Sequence, residues 1–518
     1  MSFSILWVDD QIDELRGHCV YLAEKGYEVT GAANGRDALA LLRETAFDAI
    51  LLDEMMPGMG GLETLAEIKK IRDTVPVIMV TKSEAEDLVT RAIGKRIDGY
   101  LVKPVSPLQV LSVLKKALEG RRIRGEQVTR DYLAHFGKVA NRVAAAASSD
   151  DWVALYSDLV GWGLELQTYS DLGLRETHGE QMASCNQALA RYVRERYRDW
   201  VGGAPDTPLL SPRLFETWVE PEIRAGKPVF WFLIDCMRLD QWRFVEALVE
   251  PYYRTERRHY WSILPSATPF ARNALFSGLF PLEIAQRYPD WWRGSSQQEH
   301  SKNAYEEELL RAQLQRLSSP AADDFKYYKV FDARDTDNLR RQIGSLGGVR
   351  LVAAVYNFLD IMAHGRSQSV ILKELAPDEA AFRSLMSSWF EHSTLFEVLK
   401  ILARRDVTVL LTTDHGSMFC RRATAVKGNR ETSTNVRYKY GDNLAVDERQ
   451  VFLMKNPEHY MLPRQTPIEN YAITTESYYL VYPTNYHEYE RLYRNSFQHG
   501  GISLEELICP FIVLRPRG

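Results

Sequence analysis

Six side chains scattered along the chain have the types that hold divalent cations: Asp235, Asp360, His364, Asp414, His415 and His499. Asp360 and His364 stand four residues apart in AVYNFLDIMAH, which places both on one face of a helix. Asp414 and His415 are adjacent in TVLLTTDHGS, Asp235 ends the apolar run VFWFLI, and His499 opens HGGISLEELICPFIVL. Three carboxylates with three imidazoles suit Zn²⁺ first and Mn²⁺ second. Without cations the group carries about −3 and repels phosphate; two divalent ions bring it to about +1 and make an anion trap. One ion is expected on Asp360, His364 and His499, the other on Asp235, Asp414 and His415. Thr268, in SILPSATPFARNALFSG, lies just before an expected helix whose first N–H groups would face the same anion. A cation beside it would stabilise its alkoxide, with a second ion about 3.5–4 Å away on the leaving oxygen. Arg272, one turn further on, is expected to hold a phosphate oxygen.

A second acidic group, Asp9, Asp10 and Asp53, ends the runs SILWVDD and DAILLDEMMP. Such carboxylates repel by about 4 kcal/mol per pair at 4 Å and an effective dielectric near 20, so an all-oxygen pocket calls for a hard ion such as Mg²⁺. The Asp53 carboxylate could then attack a phosphoryl group, with Lys103 adding positive charge and Thr81 a hydroxyl that follows the new phosphate.

These residues demand elements that bring them together. From Ser4 to about Gly120 the chain alternates strand and helix patterns as a doubly wound sheet does, and its acids fall at strand ends. Residues 121–205 turn helical, with GEQVTRDYLAHFGKVANRVAAAA, DDWVALYSDLVGWGLELQ and HGEQMASCNQALARYVRERYRDWV at three- and four-residue apolar spacing, economically a three-helix bundle. GGAPDTPLLSP breaks that pattern, and residues 206–518 again mix strands and helices. The fold class is therefore α/β with a helical connector.

The first segment resembles the receiver domain of response regulators throughout. That resemblance implies Asp53 as phosphoacceptor, Asp10 as magnesium ligand, Thr81 and Lys103 as switch residues and Tyr100 as a rotating aromatic. The third segment resembles the alkaline phosphatase superfamily, more closely its PglZ branch, through DCMRLDQW, SATPFARNALFSG and TTDHGS. The resemblance implies Thr268 as nucleophile, with Asp235, Asp414 and His415 at its metal and Asp360, His364 and His499 at the other. Sulfatase relatives use a Cys-derived nucleophile, so a threonine argues for phosphate esters. The stretch Leu282 to Ser345 reads as a family-specific cap or insertion. The order of the three segments is similar to the PorX family of response regulators, tied to type IX secretion, which implies a sensor histidine kinase, a phosphorylation-dependent homodimer and a sigma factor or secretion-system component as partners.

The composition narrows the alternatives. A net charge of −5 gives no global attraction to nucleic acid, and no basic recognition helix is evident, which weakens a DNA-binding output. Five scattered cysteines argue against a disulfide framework. No apolar run reaches the ~20 residues of a membrane span, and no signal peptide is read, so the expected location is the cytoplasm without membrane insertion. The segment Arg421 to Asn443 carries six basic residues, Arg421, Arg422, Lys427, Arg430, Arg437 and Lys439, against Glu431 and Asp442. Tyr438 and Tyr440 interleave with them. Read functionally, this is a groove for a short or cyclic oligonucleotide phosphodiester; read plainly, it is a solvated loop. The remaining alternatives are a phosphomonoesterase, or a phosphorylation-controlled scaffold or transcription co-regulator with an inactive metal domain.

Overall fold

A computed structural model describes residues 2–72, 74–82, 97–169, 172–292, 303–331, 333–344, 346–428 and 435–517. They form two compact units, 1–135 with 165–174, and 136–164 with 175–518.

In the first unit five parallel strands run in the order Tyr27–Ala32, Phe3–Val8, Ala49–Asp53, Val77–Thr81, Gly99–Val102. The inner strands are apolar without alternation because both faces are covered. Leu6 and Val8 pack with Leu39, Leu42, Leu65 and Ile68 on one side, and Ile5 and Trp7 with Leu22, Val110 and Leu114 on the other. The helix Pro107–Ala145 runs without a break through position 120.

The second unit is built on a six-stranded sheet ordered Tyr253–Trp261, Ile508–Pro516, Thr408–Thr412, Val229–Ile234, Leu351–Tyr356, Phe325–Val330. Its last four strands are parallel, so their carboxyl ends share one rim. The C-terminal strand runs antiparallel to both its neighbours. The stretch expected as a cap is instead part of this body. Phe325–Val330 closes the sheet edge, and Leu309, Leu310 and Leu314 of the helix Glu306–Arg316 pack on Leu275 and Phe276. Apolar residues at helical spacing drive that helix inward; residues 293–302, 332 and 345 of the stretch lie outside the described residues.

The helices Ser149–Tyr169 and Leu172–Val201 share a core with the sheet domain. Trp152, Tyr156, Leu189, Tyr197 and Trp200 belong to one cluster with Trp261, Leu264 and Phe270. All five cysteines are free. Among the described residues no helix is long and apolar enough to cross a membrane.

Candidate metal centres and phosphoacceptor pocket

The sequence delivers its acids to the rim by ending apolar strands with them. Asp235 follows Val229–Ile234, and its N–H bonds the carbonyl of Tyr356 at 2.9 Å, next to the helix Phe358–Gln368 that carries Asp360 and His364. Cys236 then adopts φ 67, a left-handed backbone that costs a non-glycine residue about 1 kcal/mol or more. The turn is held by Met237 N–H donating to Thr413 Oγ1 at 3.0 Å, while the Thr413 hydroxyl bonds the His415 carbonyl at 2.6 Å. Two glycines explain why a Gly follows each paired histidine. A Cβ on Gly416 would stand 1.9 Å from the Glu505 carbonyl, and Gly500, at φ 116, would drive one into the Tyr438 ring at 2.3 Å.

The six candidate ligands converge in two groups. His364 Nε2, His499 Nε2 and Asp360 Oδ1 form a triangle with edges of 3.2, 3.2 and 3.4 Å. A tetrahedral ion with bonds near 2.0–2.1 Å sets its ligand atoms about 3.3 Å apart, so the triangle fits one face of such a shell. No N–H is directed at Asp360 Oδ1, which is buried without a hydrogen bond, as is Asp235 Oδ1 in the second group. Buried polar atoms of this kind are seldom left unpartnered, and here they point at common centres. In the second group His415 Nε2 lies 3.8 Å from Asp235 Oδ1 and 3.6 Å from Asp414 Oδ2. His415 Nδ1 sits 3.0 Å from the Gly416 carbonyl, a contact that assigns the proton to Nδ1 and leaves the Nε2 lone pair facing the group. The His415 and His499 rings stack at 4.4 Å, so the two groups adjoin. Thr268 Oγ1 is 3.1 Å from His415 Nε2.

The electrostatics carry the mark of crowded acids. Burial pushes the Asp235 carboxyl up to about 7 against the pull of Arg272, and Asp414 and Asp360 add to the rise. Burial with His499 alongside takes His415 down to about 3, which keeps it neutral as a ligand must be. Burial also works to raise Asp360, but His364 and His499 outweigh it and hold that carboxyl well below its usual range.

Three expectations change. Arg272 is 1% exposed and its guanidinium pairs with Asp235 and Asp414, so it does not present itself to a phosphate oxygen. The basic segment is largely not a loop: Tyr438–Asp442 is a strand in a three-stranded sheet. Arg437 is fully buried and grips Glu506 with two nitrogens, Lys439 is buried under the Tyr482 ring, and Tyr438 and Tyr440 pack on Phe270. Of the proposed substrate contacts Arg421 alone is exposed; Arg430 and Glu431 lie outside the described residues. Finally, the helix Thr268–Ser277 offers an anion less than its position suggests. Pro269 has no N–H, and those of Phe270 and Ala271 bond the Ala267 carbonyl.

In the receiver pocket, oxygens of Asp9, Asp10 and Asp53 lie within 4.8 Å of one another. Lys103 Nζ donates to Asp9 Oδ2 and Asp53 Oδ2, both at 2.8 Å. Partial burial opposes its charge, but Asp53 and Asp9 outweigh that and raise its pKa. Thr81 donates to Glu54 Oε2 at 2.5 Å, Asp10 is exposed, and Tyr100 is 50% exposed.

Residues 5–115 match the response regulator receiver domain, 122–201 the PorX response regulator linker domain, and 214–514 the BREX system PglZ alkaline phosphatase-like domain. The transcriptional regulatory protein ZraR of Salmonella typhimurium is 33% identical over 178 residues, which are 32% of this chain and 39% of that protein. ResD of Bacillus subtilis is 35% identical over 133 residues, 25% of this chain and 55% of that one. The chain thus spans about two fifths to a little over half the length of these relatives. Among solved structures, chemotaxis protein CheY4 of Vibrio cholerae is 32% identical, covers 23% of this chain and all of its own, and gives a TM-score of 0.22. The PglZ match takes in more than half of the chain: the protein belongs to the PglZ alkaline phosphatase-like family, as a response regulator in which that output domain follows a receiver and a PorX-type linker.

Proposed function

We propose that the output domain is a two-metal phosphodiesterase acting on short or cyclic oligonucleotides, governed by phosphorylation of Asp53 by a sensor histidine kinase, in a cytoplasmic regulator of type IX secretion. The domains in this reading are 1–120, 121–205 and 206–518. The observation that carries it is the 3.2–3.4 Å triangle of Asp360, His364 and His499 beside Asp235, Asp414, His415 and the Thr268 hydroxyl. Zinc fits the nitrogen-rich triangle best, with manganese second. When bound, two such ions lower the pKa of the threonine hydroxyl and neutralise the ester oxygens.

The chain's own residues do the rest. His415, neutral and fixed through Nδ1, stands with Nε2 3.1 Å from the Thr268 oxygen, which sets that oxygen beside the candidate ligand group. In the receiver, Asp9, Asp10 and Asp53 would hold Mg²⁺, which would supply charge for phosphoryl transfer, and Lys103 steadies the Asp53 carboxylate. Thr81 would leave Glu54 for the new phosphate, with Tyr100 following, and the phosphorylated chain would dimerise.

Hydrolysis of a bis-aryl phosphate by wild type and Thr268→Ala tests the enzyme. A fall of roughly 10³-fold or more with metal content unchanged is expected. Equal rates, or none with metal loaded, leaves a scaffold; preference for a mono-aryl phosphate makes it a phosphomonoesterase. Acetyl phosphate with Mg²⁺ should enlarge the particle in size-exclusion chromatography, and Asp53→Ala should abolish the change.

A further inference from the structure

Arg272 is among the largest fully buried side chains of the molecule, and it sits among acids from three distant parts of the chain. Its Nε donates to Asp414 Oδ2 at 2.9 Å, its first terminal nitrogen to Asn357 Oδ1 at 3.1 Å and Glu306 Oε1 at 3.5 Å, and its second terminal nitrogen is ion-paired with Asp235 Oδ2. Three of the five guanidinium N–H groups are thus hydrogen-bonded and the remaining nitrogen is ion-paired, in the planar fork that suits carboxylates. Asp235 keeps Oδ1 without a hydrogen bond and turned to the candidate ligand group, while its other oxygen is held by the arginine.

The far side of the guanidinium is fixed in turn. Glu306 is 1% exposed and begins the helix Glu306–Arg316. Its Oε2 accepts from the Tyr327 hydroxyl at 2.5 Å and lies 2.9 Å from Lys329 Nζ. Tyr327 and Lys329 belong to the edge strand Phe325–Val330, and Asn357 Nδ2 bonds the Val330 carbonyl at 3.2 Å. A continuous chain of polar contacts therefore runs from the sheet edge through buried Glu306 and Arg272 to two candidate metal ligands. A carboxylate whose second oxygen is so held keeps one rotamer, and such outer partners are what orient a ligand before the ion arrives.

We infer that Arg272, locked by Glu306, is a positioning residue that presents Asp235 and Asp414 to one metal ion, and that it does not contact the substrate. This rests on the two-metal reading above. It also assigns a task to the stretch around Glu306, which builds the floor of that metal site from beneath.

The test measures Zn²⁺ affinity of the full chain by competition with a chromogenic chelator, for wild type, Arg272→Lys and Glu306→Gln. Lysine keeps the charge but lacks the planar fork that meets Asp235, Asp414 and Glu306 together. Arg272→Lys should weaken one of two sites 10–100-fold and spare the other, with Glu306→Gln weakening the same site less. Unchanged affinity with a raised KM for a bis-aryl phosphate overturns the inference and makes Arg272 a substrate contact. If Arg272→Lys fails to fold, as its circular dichroism would show, Glu306→Gln decides alone: weakening of one site supports the inference and full affinity overturns it. A wild type that binds no Zn²⁺ removes the two-metal reading itself, an outcome distinct from equal affinities in wild type and variants.

Discussion

In the receiver pocket a flexible lysine reaches two carboxylates from the end of the edge strand Gly99–Val102, while Asp10 stays open to solvent. In the output site an almost wholly buried arginine bridges two carboxylates, and the other ligand group has imidazoles alone for company. Both regions gather three acids at the carboxyl ends of parallel strands. They differ in who neutralises them. A lysine is a mobile point charge that can yield to an incoming ion; a buried forked guanidinium fixed by Asp235, Asp414, Asn357 and Glu306 cannot. The first arrangement suits an ion that comes and goes with a phosphoryl group, the second an ion that is kept.

The comparison can be broken at its strongest point first. His499→Ala removes one corner of the nitrogen-rich triangle and should lower Zn²⁺ affinity at that site by at least about a hundredfold, while phosphate uptake from acetyl phosphate by the receiver is unchanged. Elemental analysis and phosphate incorporation, measured on the same preparation, check both halves. Loss of phosphate uptake would show that the two pockets are not independent.

A second contrast concerns buried acids with no cation in hydrogen-bond contact. The receiver's buried pair has Lys103, whereas Glu505 of the output domain relies on the Asn186 amide at 3.0 Å. Burial pushes the Glu505 carboxyl up to about 7 from an ordinary 4.5. The folded state then holds an extra proton between those values, so this stabilisation is complete below about pH 4.5 and is lost as pH rises through about 7. Glu505→Gln should flatten that dependence and stabilise the chain at pH 8 by on the order of 2–3 kcal/mol, read from thermal midpoints at pH 5 and 8. A gain at pH 5 as large as at pH 8 would contradict it.

The smallest effect sharpens the receiver side. Lys103→Met removes the cation that competes for Asp9 and Asp53, so Mg²⁺ should bind about tenfold more tightly, or about 1.4 kcal/mol, by fluorescence or calorimetric titration. Weaker Mg²⁺ binding would mean that the lysine organises the pocket rather than occupying it.

Much of the site is legible in the sequence because its acids and histidines sit where apolar runs stop, a local pattern that survives folding. Asp235, Asp414 and His415 are of this kind, and so are Asp53 and Thr81. The roles of Arg437 and Arg272 are not legible, because their partners lie 69 and 34 or more residues away and a charge run looks the same facing water or facing Glu506. The alternation of Arg437, Tyr438, Lys439 and Tyr440 reads as a stacking groove, yet both rings lie inward against Phe270. Gly416 and Gly500 are visible as letters, but their necessity appears only once the Glu505 carbonyl and the Tyr438 ring stand against them.

Asn186 gives the linker a further meaning. Its amide donates to Glu505 and accepts from the Leu504 N–H at 2.7 Å, and the ring of Trp200 meets that of Trp261 at 5.3 Å. The seam between the stretches matched as linker and as output is therefore the inside of one wall, not a hinge. The helix Leu172–Val201 meets Glu505 through this amide, and the Glu505 carbonyl fills the space a Cβ would need on the glycine beside His415. The linker helix thus comes within one residue, Glu505, of the loop that carries His415.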